Sequence, residues 1–207
     1  MTQPMVEPEP SFLITGFEPF DGMSENLSGR LVEHLENRGF GGAAGIKCDF
    51  AVLPVSYREA GETIRRLLAE LSPSVVLSFG IGRGDPLITI ERVALNLDDA
   101  ECADNAGEIR TGRPIRIDGP PAAFATVPVE AIQEALTRQG IPSVISNHAG
   151  AFLCNHVLYE FLTQRGRSPR AGFFHLPRIS WSPELGESLQ TAVGVICETI
   201  SREASAI

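Results

Sequence analysis

The sequence contains no Cys-x-x-Cys pair; its cysteines stand far apart, at positions 48, 102, 154 and 197. That spacing disfavours a zinc ribbon and a thioredoxin-type redox motif. No apolar run approaches the roughly 20 residues that a membrane-spanning helix requires. Positive charge is scarce. The 17 Lys and Arg against 26 Asp and Glu leave a net charge of −9, which speaks against nucleic acid or an anionic membrane as a partner. The stretch Gly80-Ile81-Gly82-Arg83-Gly84 lacks the Gly-Lys-Ser/Thr of a phosphate-binding loop and leads into a strand, so a nucleotide site is disfavoured. There is no internal repeat and no low-complexity segment beyond the first ten residues. Met1 to Pro10 is polar, acidic and proline-rich, without the basic and apolar regions of a signal peptide, and reads as a frayed tail. Without an export signal the expected compartment is the cytoplasm, where thiols stay reduced.

What is present is a chain of 207 residues, 43% hydrophobic and 21% charged, enough for one soluble domain with a full core over residues 11–207. Strand-like and helix-like segments alternate. Strands are expected at Ser11–Thr15, Lys47–Val55, Ser74–Phe79, Ser143–Ser146 and Ala171–His175. Leu87–Leu97 alternates well enough for one strand or part of a hairpin. Helices are expected from near Asn26 to before Gly39, and over Arg58–Leu71, Val129–Arg138, Phe152–Gln164 (closed by Gly166) and Glu184–Glu203. Asp98–Ala125 reads as an irregular loop insert. The alternation predicts an α/β fold with a central, mostly parallel sheet covered on both faces.

The chemistry concentrates in Ala149-Gly150-Ala151-Phe152-Leu153-Cys154-Asn155-His156 and Gly172-Phe173-Phe174-His175-Leu176-Pro177. Cys154 falls in the first turn of a predicted helix, where unpaired amides and partial positive charge stabilise a thiolate and can receive an oxyanion. The bland alternative is a small buried hydrophobe. Of the histidines, His156 lies two positions along the same helix and does not face Cys154. His148 sits in a loop without fixed geometry, and His34 reads as a solvated residue on a helix beside Glu33 and Glu36. His175 ends a strand, where ligands bind in open α/β sheets, and is the best base for the thiol. Glu91 interrupts an apolar strand. It is expected either to orient an imidazole or to pair with an arginine such as Arg92. Phe17 and Phe20, after the first strand, either wall a small pocket or cap the core.

Thr15-Gly16-Phe17-Glu18-Pro19-Phe20, Leu53-Pro54-Val55, Glu91-Arg92-Val93-Ala94-Leu95-Asn96 and Asp104-Asn105-Ala106-Gly107, followed by the cysteine and histidine segments, occur in the order seen in the pyroglutamyl peptidase I (pyrrolidone-carboxylate peptidase) family. The chain resembles that family from about Ser11 to its final helix. The resemblance implies a three-layer α/β/α sandwich with a mixed sheet, and a cysteine omega peptidase that removes N-terminal pyroglutamyl residues through an acyl-enzyme. It implies a triad of Cys154, His175 and Glu91, and a pocket of Phe17, Phe20, Phe152 and Leu153. It implies no metal or cofactor, and assembly as a dimer or tetramer. Members of the family usually carry an arginine after Asp-Asp-Ala, near the oxyanion; here Asp98-Asp99-Ala100 is followed by Glu101. The Gly-Gly-Arg usual before the glutamate strand is replaced by Arg83-Gly84-Asp85. A weakly active or inactive binding module, and an amidase for another lactam or amide, are the alternatives these changes leave open.

Overall fold

Strand β1, Phe12–Phe17, is buried along its whole length, which marks it as an interior strand covered on both faces. In the computed structural model, which describes residues 10–42, 45–82, 88–164 and 168–204, it pairs in parallel with β2 (Cys48–Leu53) and β3 (Val75–Ile81). Strand β8 (Arg170–Leu176) continues the parallel set beside β3. Strands β4 (Ile88–Glu91) and β7 (Ser143–Ser146) are parallel to each other, and β4 runs antiparallel to β8. The result is a six-stranded mixed sheet in the order β2-β1-β3-β8-β4-β7. The expected layered α/β fold is therefore the fold observed.

Alternation along the strands builds two cores. Phe12, Ile14, Val75, Leu77, Phe79, Phe174 and Leu176 face helices α1 (Leu27–Asn37), α3 (Val129–Arg138) and α5 (Pro183–Ala204). Leu13, Phe17, Val76, Ala171 and Phe173 face α2 (Tyr57–Leu71) and α4 (Leu153–Leu162). Adjacent Phe173 and Phe174 are both 0% exposed, one in each core. Each contributes about 1.5–3 kcal/mol of burial, so β8 is anchored from both sides just before His175. Helix ends follow local chemistry: Asn26 caps α1 by accepting from the Ser28 amide, and Ser56 caps α2 by accepting from the Glu59 amide. None of the described helices is long and apolar enough to cross a membrane.

Two segments depart from the expected reading. The segment read as one strand or part of a hairpin over Leu87–Leu97 is, from Ile88 on, two short strands that belong to different sheets. It breaks at Arg92, so that β4 joins the main sheet while β5 (Val93–Leu95) pairs with β6 (Ala122–Phe124) in a separate two-stranded sheet. The break is held by long-range bonds: the Arg92 amide donates to Ser146 O, and Asn155 of α4 clamps Leu95 through both its amide and its carbonyl. The insert Asp98–Ala125 is mostly irregular as expected, but it contains β6 and a bridge between Asp98 and Arg113. His34 is half-buried against Trp181, with ring centroids 5.3 Å apart, and is not a solvated surface residue. Met1–Glu9, Gly166 and the segment Arg83–Leu87 lie outside the described residues.

Candidate active site

The register of β4 against β8 decides what His175 meets. Thr89 pairs with His175 and Glu91 with Phe173, so Glu91 is the diagonal neighbour of His175 on the same face of an antiparallel pair. That face looks toward α2 and α4. The side chains meet there: His175 Nδ1 lies 2.7 Å from Glu91 Oε1. The carboxylate accepts, so Nδ1 carries the proton and Nε2 is left for another partner. Glu91 is only 2% exposed, and its second oxygen has no hydrogen-bond partner among the described residues. A buried carboxylate in that state needs a cation, and His175 is positioned to be one. Arg92, the alternative partner, points elsewhere: it bonds to Glu130 and Asn147.

Cys154 arrives from the opposite layer, in the first turn of α4. Phe152 at the N-cap makes no side-chain cap bond, so the first-turn amides, those of Leu153 and Cys154 among them, are left uncapped by any side chain. The thiol is half-buried. Its sulfur sits over Gly80 of β3, the register partner of His175: a Cβ at Gly80 would lie 3.0 Å from Cys154 Sγ and 2.8 Å from the Phe173 ring. A Cβ at Gly82 would lie 3.1 Å from His175 Cβ. Glycine at these positions is thus what lets sulfur and imidazole approach the sheet. Burial by itself would lower the pKa of His175. The Cys154 thiolate hydrogen-bonded to it and the Glu91 carboxylate outweigh that effect and push it up to about 10. The arrangement places a thiol beside an imidazole that is backed by a carboxylate and faced by helix amides without a side-chain cap. It can attack a carbonyl carbon, hold the oxyanion and protonate a leaving group.

Gly80→Ala is expected to keep the fold while displacing Cys154 or Phe173, and to lower turnover by about 100-fold, the scale of a misplacement near 1 Å. Crystallography of the variant together with kcat/KM measures both effects. Wild-type kinetics in Gly80→Ala would mean that the sulfur does not work from this position.

Aromatic rings cluster at the start of α4, around its N-cap residue Phe152. Phe20 and Phe152 lie 5.9 Å apart and are half-buried, and Tyr57 meets Phe152 edge-on at 5.7 Å. Phe17 is 3% exposed and packs on Phe173 at 6.3 Å, beneath this group. Leu153 is 1% exposed, so its side chain belongs to the core and its amide is what it offers the site. The strand-exit loop is tied down by Glu18, whose Oε1 accepts from the Val55 amide and from Asn105 Nδ2.

A model of the pyroglutamyl peptidase family matches residues 11–196. The chain belongs to the pyroglutamyl peptidase family. Among its relatives, a pyrrolidone-carboxylate peptidase of Chromobacterium violaceum is 42% identical over 165 residues, spanning 80% of this chain and 76% of that protein. One of Vibrio campbellii is 35% identical over 196 residues, spanning 94% of this chain and 91% of that protein. The crystal structure of pyroglutamyl peptidase I from Bacillus amyloliquefaciens superposes with a TM-score of 0.83 at 28% identity, covering 94% of this chain and 96% of that one. The pyrrolidone carboxyl peptidase of Fervidobacterium islandicum gives 0.84 at 32% identity, covering 94% and 99%.

Two further features adjoin this site. His156 is buried, its Nδ1 3.0 Å from both carboxylate oxygens of Asp98, which also accepts from Arg110 at 2.9 Å. Arg110 in turn lies 4.3 Å from the centroid of the Tyr57 ring. This charged cluster ties the insert to α4 near Cys154. Asp98, Arg110 and Tyr57 escape sequence reasoning because their meeting requires the loop to fold back across α2 and α4; Asp98 in a polar insert carries no signal of burial. His148, in turn, does have a fixed geometry: its Nδ1 accepts from the Gly150 amide at 3.0 Å.

Proposed function

We propose that this protein hydrolyses the bond following an N-terminal pyroglutamyl residue, with Cys154 as nucleophile, His175 as acid and base, and Glu91 as the group that orients and charges His175. The observation that carries this reading is the 2.7 Å contact of His175 with Glu91 on the face where α4 presents Cys154. The Cys154 thiolate attacks the pyroglutamyl carbonyl carbon, and the uncapped amides of α4 receive the oxyanion. His175 then protonates the departing amine from Nε2, the C–N bond breaks, and a thioester remains. Water, deprotonated by His175, attacks the thioester, releasing pyroglutamate and restoring the thiolate–imidazolium pair.

Phe20 and Phe152 flank the lactam ring, with Phe17 beneath and the Leu153 amide at its edge. A pocket of this kind favours a neutral, flat ring. It rejects an ordinary charged N-terminus, whose desolvation nothing in the aromatic wall repays. Hydrolysis of a fluorogenic pyroglutamyl amide, with and without a thiol alkylator, tests the reading; no turnover, or turnover that survives complete alkylation of Cys154, overturns it. The family resemblance supports a homodimer or homotetramer, and a catalytic thiol fits a reducing compartment such as the cytoplasm.

Glu101 sets the expected rate. It is exposed in the insert, close in sequence to Asp99, whose amide donates to Ala151 O just before Cys154. A carboxylate near that point opposes an oxyanion. Arg110 is no replacement for the missing arginine, because it is held by Asp98 and Glu108. Wild-type turnover is expected to be slow, and Glu101→Arg is expected to raise kcat by about 10- to 1000-fold, the range associated with a single oxyanion donor. Equal rates for wild type, Glu101→Arg and Glu101→Gln would place this residue away from the chemistry.

A further inference from the structure

The turn that delivers Cys154 runs from Ser146, at the end of β7, to Leu153, at the start of α4. Its backbone is pinned at both ends. Ser146 Oγ accepts from the His148 amide at 3.1 Å and contacts His148 O at 3.3 Å. At the far end Ala151 O accepts from the Asp99 amide. Between them Gly150 takes a φ of +82°, which glycine tolerates and other residues resist, and Ala149 is buried in the core. The Gly150 amide is held by one group, the imidazole of His148.

That hydrogen bond fixes the protonation state of the ring. An amide N–H can be accepted only by an Nδ1 with a free lone pair, so the proton of the neutral imidazole is on Nε2. His148 is exposed, so its ring is open to solvent. Adding a proton at Nδ1 turns the acceptor into a donor facing a donor. The bond is lost, and the ring leaves for water. The Gly150 amide is released immediately upstream of the amides that receive the oxyanion and of the sulfur itself.

The charged groups around the turn are Arg92, which holds Asn147 at 3.0 Å and pairs with Glu130 of α3, Asp99, whose carboxylate accepts from the Gly112 amide, Glu101 two residues further along the insert, and the Glu91–His175 pair below Ser146. No hydrogen bond joins any of them to the His148 ring among the described residues. The ring takes the place of an Asx-turn side chain, which accepts from the amide two residues on, but with an atom that titrates.

We propose that His148 is a positioning residue whose neutral imidazole holds the nucleophile turn in its working geometry, so that mild acid slows the enzyme by breaking this bond. The proposal rests on Cys154 being the nucleophile of the reaction described above. The test compares wild type, His148→Ala and His148→Asn over about pH 5 to 8, the span in which histidines ordinarily titrate. The side-chain carbonyl introduced by His148→Asn can accept from the Gly150 amide and does not titrate.

The readouts are kcat/KM on a fluorogenic pyroglutamyl amide and the rate of iodoacetamide labelling at Cys154, followed by peptide mass spectrometry. In wild type, kcat/KM is expected to fall on the acid side by about 10-fold more than in His148→Asn, since small displacements of a reacting group have effects of this size. His148→Ala is expected to be about 10-fold slower than wild type near neutral pH and to lack the extra acid loss. His148→Asn is expected to match wild type near neutral pH to within about threefold, because the turn keeps its acceptor. An acid limb identical in wild type and His148→Asn overturns the proposal, as does wild-type behaviour in His148→Ala. Labelling of Cys154 separates the two claims. If none of the proteins cleaves the amide, but the acid-side drop in labelling is present in wild type and missing in His148→Asn, the substrate reading fails while the role of His148 stands.

Discussion

Cys154→Ser is expected to fold like the wild type and to lose turnover by at least ~10⁴-fold. The change exchanges one atom at a half-buried position, so the packing of α4 against the sheet is preserved. The chemistry is not preserved. A thiol can pass its proton to His175 as it attacks, and sulfur is a good nucleophile once that proton has gone. An alcohol would need that proton removed at each turnover. The other thiols sharpen the comparison. Burial, with a smaller effect of Asp49, pushes the Cys48 thiol up to about 11, and burial holds Cys197 well above the ordinary range. Alkylation near neutral pH should therefore inactivate in step with Cys154, with Cys48 and Cys197 lagging. An active Cys154→Ser protein, free of contaminating peptidase, would remove the nucleophile assignment. So would full activity after Cys154 has been labelled.

His175→Ala is expected to be as damaging as the loss of the thiol, and Glu91→Gln roughly 100-fold milder than either, because the base moves protons while the carboxylate acts through it. The pH profile separates these roles. The imidazolium that protonates the leaving amine is lost as pH rises through the raised pKa of His175, so the alkaline limb of kcat/KM should lie toward pH 10. The Cys154 thiolate and the Glu91 carboxylate both hold that value up, against the burial that pulls it down. Replacing the carboxylate by an amide removes one of the two supports. The alkaline limb of Glu91→Gln must then move to lower pH, while His175→Ala shows no such limb at its residual rate. An alkaline limb unmoved in Glu91→Gln would mean that Glu91 orients the ring without charging it. Turnover that survives loss of His175 but not of His156 would overturn the pairing altogether; His156 is committed to Asp98.

The sequence by itself determined the elements and the separate functional groups. The strand at β1, the helices α2, α3 and α5, and the cysteine in the first turn of α4 all follow from local signals: alternation, the period of apolar residues, capping side chains and the need of a helix N-terminus for an anion. Phe17 and Phe20 were legible as aromatic side chains at a strand exit, Phe152 only through the family resemblance, and Glu91 as a carboxylate where a strand should be apolar. What only the tertiary structure decided is which groups meet. Glu91 reaches His175 because β4 runs antiparallel to β8 in one particular register; a slip by one residue would send the carboxylate into the opposite core. Strand direction is not encoded in the strand's own period. The break at Arg92 depends on Ser146 and Asn155, remote in the chain. The cluster of Asp98, His156, Arg110 and Tyr57 depends on an insert folding over α4, and the imidazole at His148 became a fixed contact only once the turn to α4 was formed. Apart from the His148 contact, which spans two residues of a turn whose form depends on its anchors, each of these is a long-range pairing whose energy exists only after the chain has closed on itself, so no local pattern announces it.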